Sequence, residues 1–320
     1  SKVYDARLYL LERGMIVTST ALKNALTGND NKKLMLLNYF EQHNDTLLKS
    51  IGKTSARGTW VNFRTSYRHT KNYILEKYKV SDINMLSLNM EFIKGFYDWL
   101  IVRQGLGHNS AIKNISNMRK IVNSGIENGW LKQDPFLKFN MKRKEVDPQI
   151  LTMEEIQKIA AKEIPVERLA RIRDIFIFCC MTGLAFIDVK QLKSSEIIMD
   201  SQGETWIQKR RQKTSTASMI PLLPLPLAIL ERYKDDHECQ LKNQVLPVPT
   251  NQKYNAYLKE IANICGIDKP LSSHTAPFSF GTSVTLQHGV PIETVSKMLG
   301  HKNLKQTQHY ARILPNKISE

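Results

Sequence analysis

The sequence has little that would place it in a membrane or outside the cell. No apolar run reaches the roughly 18 residues that a membrane-spanning helix needs. The N-terminal stretch SKVYDARLYLLERG lacks the basic, apolar and small-residue succession of a secretory signal. Cysteine is scarce. Cys179, Cys180, Cys239 and Cys265 have no metal-ligand spacing, and the adjacent pair lies in an apolar run where buried thiols are expected. A reducing, cytoplasmic setting follows as the expectation. No internal repeat or low-complexity tract appears. The chain begins at Ser1 rather than Met, which suggests that further residues precede it.

Positive charge, by contrast, is abundant. The formal net charge is +16, and it is unevenly spread. Residues 1–150 carry 24 basic against 13 acidic residues; residues 151–320 carry 22 against 17. A basic first half fits a polyanion partner, most simply nucleic acid, although a plain solvated surface explains the charge about as well. With 42% hydrophobic residues over 320 positions, the chain can build more than one core.

Periodicity divides the chain. Residues 1–30 read as a helix, a turn and a second helix, with Val17–Thr20 as a cap and Gly28-Asn29-Asp30 as a stop. Apolar residues at helical spacing then recur from Leu34 to Ile51. After Gly58 a further helix is predicted, with Val61, Tyr67, Tyr73 and Leu75 on its apolar face and Arg64, Arg68, His69 and Lys71 opposite. Helices over residues 89–104 and from Asn109 to Gly129 complete a compact helical unit. The charged, Pro-containing segment 140–150 reads as a linker. Beyond it, Thr152 and Glu155 form a capping box before a second unit. There a long apolar helix runs to Gly183, and residues 204–220 alternate as two or three short antiparallel strands. Helices resume to the end, including one from His274 to His288. The expected fold class is mainly α with a small antiparallel β-sheet (α+β).

The C-terminal stretch carries the chemistry. His274 opens an apolar helix, Gly289-Val290-Pro291 breaks it, and a second helix ends at Leu299-Gly300-His301. Tyr310 follows nine residues later on a polar stretch. Taken singly, a tyrosine is most often a packing residue and a histidine a satisfied one; their order and spacing carry the argument.

This segment closely resembles the C-terminal signature of the tyrosine recombinases, the phage-integrase family, and more narrowly the integrases of Bacteroides-type mobile elements. The likeness runs over about residues 31–315. It implies a helical core-type DNA-binding domain (31–139), a linker (140–150) and a catalytic domain (151–320), closing as a clamp around DNA. Residues 1–30 would be the end of a missing N-terminal arm-binding domain. The resemblance implies site-specific recombination or integration through tyrosine attack on a DNA phosphodiester, with a 3′-phosphotyrosyl intermediate. Tyr310 would be the nucleophile, Lys213 the general acid, His274 and His301 phosphate or proton partners, and Asp188 a supporting residue. Double-stranded DNA is the implied partner, with a tetramer on two DNA sites and no membrane. No cofactor or metal is implied.

Two positions depart from the pattern. Ala185 stands where the family carries its first arginine, and Pro277 where His-x-x-Arg carries its second; Phe278 follows where histidine is frequent. Arginine matters there because its planar fork meets a phosphate bidentately. Arg173, on the helix leading to Ala185 and flanked by Arg168 and Arg171, is the candidate substitute. No local donor suggests itself for the second position. Phosphate contacts are expected from Arg64, Arg68, Lys71, Lys113, Arg119 and Lys120 on the first domain and from Lys209, Arg210 and Arg211 beside the hairpin, with Asn109–Lys120 as the base-reading helix. The missing arginines also leave open a catalytically degenerate recombinase acting as a DNA-binding or architectural protein.

Overall fold

The computed structural model describes residues 2–12, 17, 19–27, 34–131, 133–212 and 214–311. The chain divides into two compact units, residues 1–145 and 146–320. Both are helical, and the second adds one three-stranded antiparallel sheet. Among the described residues no helix is long and apolar enough to cross a membrane.

The first unit opens with α1 (Lys2–Glu12) and α2 (Ser19–Thr27). The cap residue Thr18 and the stop at Gly28–Asp30 lie outside the described residues. Four longer helices follow: α3 (Leu36–Lys49), α4 (Arg57–Tyr78), α5 (Met90–Val102) and α6 (His108–Glu127). Their shared core holds Leu36, Phe40, Phe63, Tyr73, Ile93, Phe96, Ile115 and Met118. Side chains tie off the helix ends. Asp82 accepts from the backbone N–H groups of Leu37 (2.8 Å) and Asn38 (3.0 Å), placing a carboxylate at the positive end of α3. Asn89 caps α5 through Phe92 N–H.

The predicted apolar face of α4 needs correcting. Tyr73 is buried as expected, but Val61 and Leu75 are exposed; Phe63, Ser66, Thr70 and Ile74 face the core in their place, and His69, expected on the polar side, is buried too. The actual stripe includes hydroxyls that bond back to carbonyls four residues earlier, Ser66 to Asn62 and Thr70 to Ser66. An apolar template does not count such positions.

The linker is partly structured. Asn109 donates to the Lys144 carbonyl (2.9 Å) and accepts from the Lys144 N–H (2.9 Å), and His108 Nε2 lies 3.0 Å from the Lys142 carbonyl. Residues 142–144 are thereby pinned along the start of α6.

The first helix of the second unit is α7 (Met153–Ala161), whose capping box between Thr152 and Glu155 is formed in both directions. The long helix α8 (Glu167–Thr182) is buried over most of its circumference and forms the centre of this unit. It ends at Gly183 with φ +66°, a left-handed cap. A Cβ there would fall 2.4 Å from the Phe280 ring, so the site requires glycine twice over. After α9 (Phe186–Lys190), strands β1 (Ile197–Met199), β2 (Thr205–Arg210) and β3 (Ala217–Pro221) pair in the order β1-β2-β3. The register sets Ile207 opposite both Ile197 and Ile220. Next come α10 (Pro224–Arg232), α11 (His237–Lys242) and α12 (Asn251–Ile264).

The helix expected from His274 to His288 is not uniform. It runs as α13 (Thr275–Ser279), then a π-helical segment Phe280–Thr285, then a 3-10 turn at Leu286–His288. Thr285 Oγ1 lies 3.0 Å from the carbonyls of both Phe280 and Gly281, which the change of register displaces. The chain closes with α14 (Ile292–Met298) and α15 (Leu304–Ala311).

Candidate active site

Tyr310 sits on the inner face of α15 and is only 8% exposed. Its ring lies 5.6 Å from that of His301, tilted by 50°. His301 follows the left-handed Gly300 (φ +61°) at the end of α14, and its Nδ1 shares a 2.8 Å hydrogen bond with the buried Thr307 Oγ1. That bond ties the histidine to the tyrosine's own helix. On the other side, Phe278 stacks on Tyr310 with centroids 4.6 Å apart and planes 25° off parallel.

The cation next to this cluster is Arg211. Its side chain is 5% exposed. Nη1 donates to Asp188 Oδ2 (3.1 Å), and Nη2 donates to the carbonyls of Gly183 (3.0 Å) and Met298 (3.2 Å). Asp188 also accepts from Gln212 N–H (2.9 Å), so one carboxylate fixes both the guanidinium and the backbone that carries it. Gly300 packs against the arginine stem; a Cβ there would come within 2.6 Å of Arg211 Cγ. Nε is buried and has no hydrogen-bond partner among the described residues.

Electrostatics links the three groups. Burial pushes the Tyr310 phenol up to about 12, and the positive charge of Arg211 pulls in the opposite direction. His301 is held below its ordinary value, first by burial and then by Arg211, which favours the neutral imidazole. Burial lowers Arg211 as well, while Asp188 opposes that shift.

Several expectations change. Arg173 is not at the site. It lies ten residues before Gly183, about 15 Å along the helix. Its Nε (3.0 Å) and Nη2 (2.9 Å) donate to Asp174, and Nη1 to the Lys162 carbonyl. Asp174 also accepts from Arg232 (2.5 Å) and Tyr233 (2.8 Å), so Arg173 belongs to a structural network joining α8 to α10. Arg168 pairs with Glu260, and Arg171 with Glu167 and Asp236.

Three expected phosphate contacts are engaged inside the protein. Lys209 is buried and bound to Glu196 (2.8 Å) and the Gln191 carbonyl (3.1 Å). Alternation along β2 turns it inward, while its neighbour Arg210 is exposed. Arg211 is the guanidinium described above rather than a surface charge. Arg119 is clasped by Asp134. Asn109, at the start of the expected base-reading helix, is occupied by Lys144.

Arg64, Arg68, Lys71, Lys113 and Lys120 are exposed. The first three recur at i, i+4 and i+7 on one face of α4, with Arg64 5.1 Å over the Trp60 ring one turn earlier. His274 is exposed at the start of α13, and its imidazole makes no hydrogen bond among the described residues. Lys213 lies outside the described residues. Arg211 was masked in the sequence by its neighbours, since Arg210-Arg211-Gln212-Lys213 reads as a uniform basic run. The available signal was the combination of Ala185 with an acidic Asp188, a carboxylate left without its usual cation nearby in sequence.

A buried tyrosine, a histidine after a left-handed glycine and a guanidinium held by a carboxylate thus come together on an α-helical frame with a three-stranded sheet. Residues 149–317, more than half of the chain, match the phage integrase family, and residues 35–142 match the phage integrase SAM-like domain. The chain belongs to the phage integrase family, the tyrosine recombinases, enzymes of site-specific DNA recombination. Tyrosine recombinase XerD of Listeria innocua is 22% identical over 231 residues, covering 68% of this chain and 76% of that protein. XerD of Pseudomonas putida is 31% identical over 118 residues, 34% of this chain and 39% of that protein. In fold, the chain is similar to a lambda integrase dimer bound to a core site (TM-score 0.67, 15% identity, 86% of this chain and 95% of that one). It is also similar to the Tn1549 transposon integrase in complex with a circular intermediate DNA (TM-score 0.66, 13% identity, 87% and 95%).

Proposed function

We propose that the chain recombines or integrates DNA at specific sites through a covalent link to Tyr310. The observation that carries this reading is the buried, carboxylate-held guanidinium of Arg211 beside Tyr310 and His301. The Tyr310 oxygen would attack a backbone phosphorus in line. The bond from phosphorus to the 5′-oxygen breaks, leaving a 3′-phosphotyrosyl link, and Lys213 protonates the departing oxygen. Because the phosphoester is exchanged rather than hydrolysed, rejoining needs no nucleotide. Negative charge grows on the non-bridging oxygens in the transition state, and fixed donors lower its energy. Arg211 supplies that donor in place of the arginine missing at position 185, with Asp188 orienting it and Nε–H free for an acceptor. Its charge also eases loss of the phenolic proton. His301, held neutral, can accept that proton, and His274 would donate to a phosphate oxygen.

Double-stranded DNA is the proposed partner. The Arg64–Arg68–Lys71 stripe would contact phosphates, and two protomers on each of two sites would make a tetramer. The nearer kinship we infer is with integrases of Bacteroides-type mobile elements, acting in the cytoplasm.

One feature favours a second reading, a recombinase that binds DNA without cutting it. Pro277 and Phe278 replace donors with apolar groups, and the Phe278 ring covers Tyr310. A single experiment separates the two. The chain is incubated with nicked duplexes of randomised sequence, and denaturant-resistant protein–DNA adducts are recovered. Adducts lost in Tyr310→Phe are expected. Selective binding with no adduct would instead establish the non-cutting reading.

A further inference from the structure

The stack of Phe278 on Tyr310 is one wall of a closed seat. A second wall is Gly281, where a Cβ would lie 2.4 Å from Tyr310 Cδ1 and 2.9 Å from Cε1. Phe278 and Gly281 stand three residues apart on the stretch where the helix passes from α to π geometry. Such π segments occur often at functional sites, because they move side chains out of the α register. Here the Phe278 ring, just before the π segment, and the bare backbone of Gly281, within it, both press against the tyrosine. Leu299, which packs beside Gly281, completes an apolar surround. Phe278 also meets His309 edge-on at 6.2 Å, so it grips two successive residues of α15. A phosphodiester is charged and hydrated, and a ring that is 8% exposed between these walls offers it little surface to meet.

We propose that Phe278 is a positioning residue that latches the Tyr310 ring in this buried seat, and that the nucleophile reaches DNA only when the stack opens. The inference rests on Tyr310 being the nucleophile, but its first test needs no DNA. An offset aromatic pair favours the closed arrangement by roughly three- to tenfold.

The full chain is treated with tetranitromethane, and nitration is followed at each tyrosine by peptide mass spectrometry. Tyr4, 62% exposed, is the open reference, and Tyr254, 1% exposed, the closed one. In the unaltered chain Tyr310 should react far more slowly than Tyr4. Phe278→Leu keeps apolar bulk but removes the stack, and should speed Tyr310 nitration roughly three- to tenfold while Tyr254 stays protected. Gly281→Ala, which fills the other wall, should do the same. The latch is overturned if Tyr310 matches Tyr4 in the unaltered chain, or if neither variant accelerates it. It is equally overturned if both variants expose Tyr254 along with Tyr310, since that marks a loosened fold. With duplexes recovered as adducts, Phe278→Leu should raise the initial adduct rate by the same factor. A chain that shows the nitration pattern yet forms no adduct would remove the recombination reading and leave the latch standing.

Discussion

The two units handle positive charge in opposite ways. In the first, Arg64, Arg68, Lys71, Lys113 and Lys120 stand exposed on helix faces. In the second, Arg211 and Lys209 are buried and Arg173 is largely covered, its side chain 13% exposed, and each is bound to a carboxylate. Exposed cations attract a polyanion over a distance set by salt, and each is individually dispensable. Buried cations have already lost their water, so they are held at fixed positions and removing one leaves a carboxylate stranded. On the proposed function, the difference separates residues that would gather DNA from residues that fix geometry. Being enclosed and paired does not by itself put a cation at the candidate site, since only Arg211 of the three is described beside Tyr310.

The largest expected effect comes from Arg211→Ala. Adduct formation should fall by about 10²–10³, the usual cost of one lost transition-state donor. Denaturant unfolding should show a loss of about 3–5 kcal/mol from stranding Asp188. An unchanged adduct rate per folded molecule would make Arg211 no different from Arg173.

Next is an alkaline stability difference. The Tyr310 phenol rises to about 12 in the folded chain, above its unfolded value near 10. The neutral phenol is therefore favoured by folding. This contribution is complete below about pH 10 and is lost as pH rises from there to about 12, amounting to about 2–3 kcal/mol. Stability curves for the unaltered chain and Tyr310→Phe should converge or cross by that amount over this window. Parallel curves would mean the ring is not buried in solution.

Arg173→Ala should cost about 1–2 kcal/mol, because Asp174 keeps Arg232 and Tyr233. Adduct formation per folded molecule should be unchanged. A loss comparable to that of Arg211→Ala would reinstate Arg173 as the substitute arginine.

The smallest effects should appear only in salt titrations of DNA binding. Neutralising Arg64, Arg68 or Lys71 should reduce the slope of log affinity against log salt by about 0.9 for each residue removed. Lys209→Met should leave the slope unchanged, because that ammonium is held by Glu196. An equal loss of slope from Lys209→Met would erase the distinction between the two kinds of cation.

Much of the frame is legible in the sequence because it depends on local chemistry. Thr152 and Glu155 announce their capping box, and Gly183 and Gly300 announce helix ends. The alternation after Gly203 announces strands, of which β1 lies just upstream of the predicted stretch. The site is legible only in part. The offset from His301 to Tyr310 is visible, and so is the absence at Ala185. What replaces the missing group is not, because Arg211 meets Asp188 across 23 residues of chain through a hairpin whose inward and outward sides cannot be assigned from composition. The same uncertainty set Lys209 among surface charges. Arg173 was nearest in sequence but lay about 15 Å along a rigid helix, a distance that sequence proximity conceals. Phe278 reads as one more apolar helix residue, and nothing in its pattern forecasts a π segment two positions later.

That segment has the effect of a phase slip. An extra residue in one helical turn rotates everything beyond it by about 100° relative to a regular α-helix. Ser279 and Ser283 both hold Leu151, accepting from its N–H at 2.9 Å and donating to its carbonyl at 2.6 Å, while Leu286 beyond them returns to the core. Deleting one residue within 280–285 would restore a seamless helix and bring its two ends out of step with each other. The added residue works as a timing mark: along one stretch of chain Ser279 and Ser283 serve the scaffold at Leu151, while Phe278 and Gly281, alternating with them, serve the tyrosine.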